Sequence, residues 1–145
     1  MRDVGFESMT PILRVDDLQR SLDYYSRILG FRIDWPVGPN ENFASLSRDR
    51  CHIFLCEGDQ GHIGSWTWIG VEDVDAVCQE YRSKGARIRH PPTNYRWARE
   101  MQVEDPDGNI LRIGSERKED EPDGEWLDMQ GRRWLRQADG SFKQL

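Results

Sequence analysis

The sequence predicts an α+β fold of two tandem βαβββ modules followed by a β-hairpin-like C-terminal tail. Three observations predict it. An internal repeat recurs about 56 residues on, each copy carries helical periodicity, and each helix is followed by short alternating pieces with turn residues between them.

The first copy, ILRVDDLQRSLDYYSRILGFRI, spans residues 12–33, and the second, WIGVEDVDAVCQEYRSKGARI, spans residues 68–88. Val15, Asp17 and Tyr25 return as Val71, Asp73 and Tyr81; Gly30 and Ile33 return as Gly85 and Ile88. Each copy reads strand, helix, strand. TPILRV alternates and stops at Asp17, a residue suited to an N-cap. Leu18, Leu22, Tyr25 and Leu29 follow at helical spacing, and Gly30 closes the helix. In the second copy Asp73 is the cap, Val74, Val77, Cys78 and Tyr81 form the apolar face, and Gly85 closes it. The strand-like pieces are FRIDWPV, NFASLSR and CHIFLCE in the first half, and ARIRHPP, REMQVED and NILRIGS in the second. The modules thus run over about residues 8–58 and 64–115. Together, residues 1–115 form the main domain.

ERKEDEPDGE, residues 116–125, reads as a solvated charged linker. Residues 126–145 form a C-terminal extension in which ADGS between alternating pieces indicates a hairpin. Trp126, Trp134, Leu135 and Phe142 would be exposed in isolation, so the extension is expected to pack on the body or on a second subunit.

Composition excludes several classes. Charged residues make up 32% of the 145 and hydrophobic ones 37%, enough for a soluble domain with a core. No apolar run is long enough to span a membrane, and the opening MRDVGFESMT lacks a basic-then-apolar leader, so a cytoplasmic protein is expected. The net charge is −6 and the basic residues are scattered, which argues against nucleic acid. Cys51, Cys56 and Cys78 are odd in number and form no CxxC, so no disulfide framework is expected. Cys56 reads as a small buried residue or a nucleophile. His52, His62 and His90 show no ligand spacing, and His90, ahead of two prolines, is placed in a loop. No Ser–His–Asp spacing, P-loop or dinucleotide fingerprint appears.

RVDDLQRSLDYYSRILGF and WAREMQVEDPDGN resemble the vicinal oxygen chelate superfamily. That group includes glyoxalases, ring-cleaving dioxygenases, fosfomycin-modifying enzymes and bleomycin-resistance proteins. The resemblance covers about residues 8–115. It implies paired modules curling into a cup-shaped sheet with helices outside. In catalytic members it also implies a divalent metal held by histidines and glutamates of the first and last strands. Counting seven residues back from Asp17 and Asp73 reaches Thr10 and Trp66. The position three residues after DPDGN is Arg112, and aligning DRCHIF on DGNILR sets Phe54 opposite it. Thr10, Phe54, Trp66 and Arg112 are poor metal donors, and a guanidinium cannot bind a cation. No metal, cofactor or catalytic residue is therefore expected. This pattern is similar to the bleomycin-resistance branch, which sequesters a drug without transforming it and, by the resemblance, works as a homodimer.

Arg112 is the odd residue in the strand NILRI. Alternation puts Leu111 and Ile113 on one face and Ile110 with Arg112 on the other. Two readings stand: Arg112 points into a ligand cavity, or it is a structural arginine paired with Glu100 or Glu104. Strand parity and nearby aromatics give the expected lining: Thr10, Trp35, Phe54, Trp66, Trp68, Tyr95, Trp97, Met101 and Arg112. Such a lining suits a flat aromatic or glycopeptide-like small molecule. The competing readings are a metal-dependent lyase or dioxygenase with a displaced site, and an interaction module with a vestigial pocket.

Overall fold

The repeat appears as two four-stranded sheets of identical strand order, each with its own helix. The computed structural model describes residues 2–145; Met1 lies outside the described residues. The chain divides into two units. The first takes in residues 2–65 with Pro106–Asn109; the second takes in Trp66–Asp105 with Ile110–Leu145. Among the described residues no helix is long and apolar enough to cross a membrane.

In the first unit, β1 (Ile12–Val15) ends at Asp17, whose carboxylate accepts the Arg20 N–H at 3.1 Å and caps α1 (Leu18–Asp23). The helix continues as a π-helical turn over Tyr24–Ile28, with the Leu29 N–H reaching the Tyr24 carbonyl at 3.0 Å. Gly30, at φ 79°, adopts the left-handed conformation that ends it. β2 (Arg32–Ile33), β3 (Phe43–Arg48) and β4 (Cys51–Glu57) complete a sheet of order β1-β4-β3-β2. Leu13, Ala44, Leu46, Ile53 and Leu55 are buried on one face of this sheet, and Leu18, Leu22, Tyr25 and Leu29 are buried along the helix.

The strand expected across FRIDWPV is cut to two residues. Pro36 has no N–H for a ladder. Asp34 instead accepts the Ser45 and Ser47 hydroxyls at 2.6 and 2.9 Å. The Ser45 hydrogen bond holds its carboxyl below the usual range, against the effect of burial. Pro106–Asn109 of the DPDGN turn also belong to this unit. Asp107 accepts from the Asp16 N–H, the Arg20 guanidinium and the Ser21 hydroxyl, while Asn109 bridges the Arg14 carbonyl and the Ser65 N–H.

The second unit repeats the plan. β5 (Trp66–Gly70) leads to α2 (Val74–Ser83), capped by Asp73, which accepts the Asp75 and Ala76 N–H groups. β6 (Arg87–Asn94), β7 (Arg99–Glu104) and β8 (Ile110–Ser115) complete the order β5-β8-β7-β6. His90 lies within β6, not in a loop as its prolines indicate. β6 is an edge strand with irregular register around His90, and an edge tolerates the missing N–H groups of Pro91 and Pro92.

The C-terminal extension is more than a hairpin. β10 (Arg133–Arg136) and β11 (Phe142–Gln144) form the expected hairpin, and β9 (Trp126–Leu127) adds a third antiparallel strand. The extension belongs to the second unit. Gln102 donates to the Leu127 carbonyl at 2.9 Å, Tyr95 to the Glu125 carbonyl at 2.8 Å, and Arg89 to the Asp128 carbonyl. The stretch 116–125 keeps charged side chains at the surface, but its main chain is held. Buried Asn94 bonds both the N–H and the carbonyl of Lys118 and the carbonyl of Glu121.

Arg99 ties this stretch to α2. Its guanidinium grips Asp75 with two bonds, at 2.8 and 3.0 Å, and Glu121 with a third at 2.7 Å. The hydrogen bond from Arg99 holds the Asp75 carboxyl below its usual range. A depressed carboxylate contributes stability above the ordinary carboxylate pKa and loses it as pH falls through the depressed value. The Arg99→Gln variant should lose about 1–2 kcal/mol at pH 7, less than for a fully buried pair because Asp75 is partly exposed. Urea unfolding should show that deficit shrinking below about pH 4. A deficit equal at pH 7 and pH 3 would show that the ion pair is not its source.

Candidate functional site

The site lies on one face of the second sheet. The register pairs Trp68 with Arg112 and Gln102 with Arg112, so Trp66, Trp68, Glu100, Gln102 and Arg112 share that face. Met101 pairs with Ile113 and Val103 with Leu111, all almost fully buried on the opposite face with α2. Met101 therefore does not join the lining to which parity assigned it. The physical reason is a tight turn after Asn94, in which the Tyr95 N–H bonds the Ala98 carbonyl at 2.8 Å. Strand alternation counted from Tyr95 and Trp97 does not carry through it.

Arg112 resolves both of its readings at once: it is paired with Glu100, and it borders a cavity. Its Nε donates to Glu100 Oε1 at 2.9 Å and its Nη2 to Oε2 at 3.1 Å. Oε2 also accepts the indole N–H of Trp97 at 2.6 Å and that of Trp68 at 3.2 Å. Glu100 is 1% exposed, so these four donors replace its hydration. The Trp68 ring lies across two glycines. A Cβ at Gly70 would sit 2.9 Å from it, and one at Gly114 3.0 Å from both Trp68 and Glu100. Only glycine leaves room for that ring.

The extension adds a ring to this face. Trp126 sits beneath the Arg112 guanidinium, 4.8 Å from its carbon. It meets Tyr95 and Trp97 edge-on, with centroids 5.5 and 6.0 Å away, and Trp66 at 6.3 Å. Tyr95 and Trp97 stack at 5.0 Å. Burial pushes the Tyr95 phenol up to about 12, so it stays a neutral donor to the Glu125 carbonyl. Beside these rings opens a cavity of about 550 Å³ lined by Trp97, Arg112, Trp126, Asp128, Trp134 and Phe142.

Of the residues expected to bind ligand, Trp66, Trp68, Tyr95, Trp97 and Arg112 come together here. Thr10, Trp35 and Phe54 belong to the first unit and occupy separate places in it. Thr10 precedes β1, Phe54 packs on Phe43 at 5.2 Å, and half-exposed Trp35 borders a hollow beside α1 with Leu22 and Ile33. Reasoning from the sequence missed Trp126, Asp128, Trp134 and Phe142 as site residues, because an extension outside the repeat carries no parity relation to it. Their signal was aromatic density: two of the chain's six tryptophans lie after residue 125.

The metal positions of the resemblance do not fit a cation. Ile12 pairs with Phe54 as Trp68 pairs with Arg112, so the two modules are in equivalent register. Their side chains are nonetheless a hydroxyl, two rings and a guanidinium. Among the described residues no three His, Cys, Asp or Glu side chains are grouped to hold a metal ion. In the first unit Asp34, Ser47 and His52 form a chain, but Ser47 sits in the middle. Its single proton goes to Asp34, so His52 does not act as its base.

Residues 7–113 match the model of the Glyoxalase/Bleomycin resistance protein/Dioxygenase superfamily. A probable lactoylglutathione lyase of Synechocystis sp. (strain ATCC 27184 / PCC 6803 / Kazusa) is 29% identical over 117 residues, 70% of this chain and 89% of that protein. Among solved structures, the bleomycin-binding protein of bleomycin-producing Streptomyces verticillus, complexed with copper(II)-bleomycin, superposes with a TM-score of 0.67. It is 22% identical, over 78% of this chain and 98% of that one. TnmS3, an antibiotic binding protein from Streptomyces sp. CB03234, gives 0.65 at 20% identity, over 79% and 99%. These two likenesses describe the fold.

Replacing Glu100 by Ala should cost about 2–4 kcal/mol, since Arg112 and two indole N–H groups lose their acceptor. Gly114→Val should shift the tryptophan emission of the folded protein by displacing the Trp68 ring. Unchanged emission in a folded Gly114→Val protein would mean that Trp68 does not lie there.

Proposed function

The chain belongs to the glyoxalase/bleomycin resistance protein/dioxygenase superfamily, and we propose that it is a non-catalytic binding protein that sequesters an aromatic or glycopeptide-like small molecule. One observation carries the reading: a ring-lined cavity stands beside a charge-compensated Arg112–Glu100 pair. A divalent ion at Arg112 would face a guanidinium. A planar ring there would meet Trp97 and Trp126, with an arginine at its edge. Protection by such a protein is stoichiometric. The proposal includes a homodimer, to be checked by light scattering on the purified protein.

The similarity to a probable lactoylglutathione lyase supports a second reading, a metal-dependent lyase or dioxygenase with a displaced site. That chemistry needs at least three convergent donors.

Thermal-shift titration separates the two. A ligand at about 100 times its dissociation constant adds about 2.7 kcal/mol of stability. Planar aromatic compounds or bleomycin-type glycopeptides should raise the melting temperature, and Zn, Ni, Mn or Fe(II) ions should not. Trp97→Ala should weaken the aromatic binding about tenfold, the loss of roughly one ring contact. Stabilisation by a metal, with turnover of a glutathione hemithioacetal or a catechol, would put the lyase or dioxygenase reading first.

A further inference from the structure

The family match ends at residue 113, yet four of the six side chains around the cavity lie beyond it: Trp126, Asp128, Trp134 and Phe142. The extension therefore builds most of the pocket wall. Asp128 fixes its geometry. Its Oδ1 accepts the Gln130 and Arg132 N–H groups, both at 2.9 Å, and closes the β9–β10 turn. Its Oδ2 accepts Arg132 Nε and Trp134 Nε1, both at 2.8 Å. These bonds outweigh the cost of burial and hold the Asp128 carboxyl far below its usual range. Trp134 is thereby oriented with its one N–H already engaged. Arg136 pairs with Phe142 and Trp134 with Gln144, so Trp134 and Phe142 share one face of the C-terminal sheet.

The polar groups around the cavity select the ligand. Both Asp128 oxygens are filled. Arg112 gives Nε and Nη2 to Glu100, which cancels its charge, and among the described residues its Nη1 has no hydrogen-bond partner. The cavity thus offers rings and the remaining N–H groups of one guanidinium, with no open acceptor and no net charge from the pair. A cationic ligand would find a guanidinium and a saturated carboxylate. An anionic one would compete with Glu100 for Arg112.

We propose that the C-terminal sheet is the second wall of the binding site, and that the site takes a neutral planar aromatic compound bearing one carbonyl-type acceptor. The ring lies among Trp97, Trp126, Trp134 and Phe142, and the acceptor meets Arg112 Nη1. This rests on the binding role proposed above, and adds to it the class of ligand and the part of the chain that sets specificity.

Fluorescence titration of the full chain tests it with three probes: neutral acridone, cationic 9-aminoacridine and anionic anthracene-9-carboxylate. Acridone should bind at least tenfold more tightly than either charged probe. The Trp134→Ala/Phe142→Ala double variant should weaken acridone at least tenfold, and Phe142→Ala alone about threefold. Phe142 is 43% exposed, so its single variant folds even if the double variant does not. Circular dichroism of each variant checks the fold. Unchanged acridone affinity in a folded Phe142→Ala or double variant, with loss in Trp97→Ala, would overturn the second wall and leave the binding role standing. Equal or tighter binding of a charged probe would overturn the ligand class. Failure of the wild-type chain to bind any planar aromatic would overturn both this inference and the binding role.

Discussion

The second unit is organised around one buried carboxylate. Glu100 is 1% exposed in the middle of a sheet, where an unpaired charge would cost several kcal/mol. Four hydrogen bonds from three side chains answer that cost, two from Arg112 and one from each indole, and each of the three side chains is held in place by what it gives. Arg112 is drawn along the sheet face to Glu100 and so spreads its guanidinium over Trp126. Trp68 is laid flat across Gly70 and Gly114. Trp97 is pulled in from the β6–β7 turn with its ring stacked on Tyr95. An arginine in an otherwise apolar strand is thus a requirement of its neighbour's charge. Polar pairing and ring placement are one device here.

The same pairing bears on chemistry. In the resemblance, a last-strand carboxylate binds the metal; here the last strand supplies a cation, and the carboxylate sits on the adjacent strand, facing it. Glu100 already accepts from Arg112, Trp68 and Trp97 and is neutralised by the guanidinium, so it is not a free donor. Introducing a carboxylate at residue 112 alone would not restore a metal site, because it would set two carboxylates side by side and leave Trp66 where a further donor must stand.

Local rules made much of this legible in the sequence. The repeat, the Asp17 and Asp73 caps and the closing glycines follow from short-range chemistry, and both copies show them. Face assignment for Trp66, Trp68 and Arg112 followed from alternation, because β5 and β8 are regular along those residues. The same rule failed for Met101, where a turn interrupts the count; the proline signal misplaced His90, because an edge strand accommodates prolines. β2 was overextended because the pull of Ser45 and Ser47 on Asp34 is a contact between strands, invisible in a linear reading. The extension was legible as apolar and needing cover. Its third strand rests on two residues, too few to alternate.

The rings of the second unit divide by what already touches them. Trp126 is flanked by Trp66, Tyr95 and Trp97 and capped by Arg112, and with the Glu125, Leu127 and Asp128 carbonyls it holds the extension down. These contacts are complete within the chain. Trp97 and Phe142 are different: they remain 48% and 43% exposed beside the cavity that both line. A protein folding only for stability would bury such side chains or replace them with polar ones, since exposed clustered rings promote association. In the proposed binding role, leaving them uncovered at one cavity keeps their surface for a ligand. In that role the fixed indoles of Trp97 and Trp134, held through their N–H groups, would lower the entropic cost of capture.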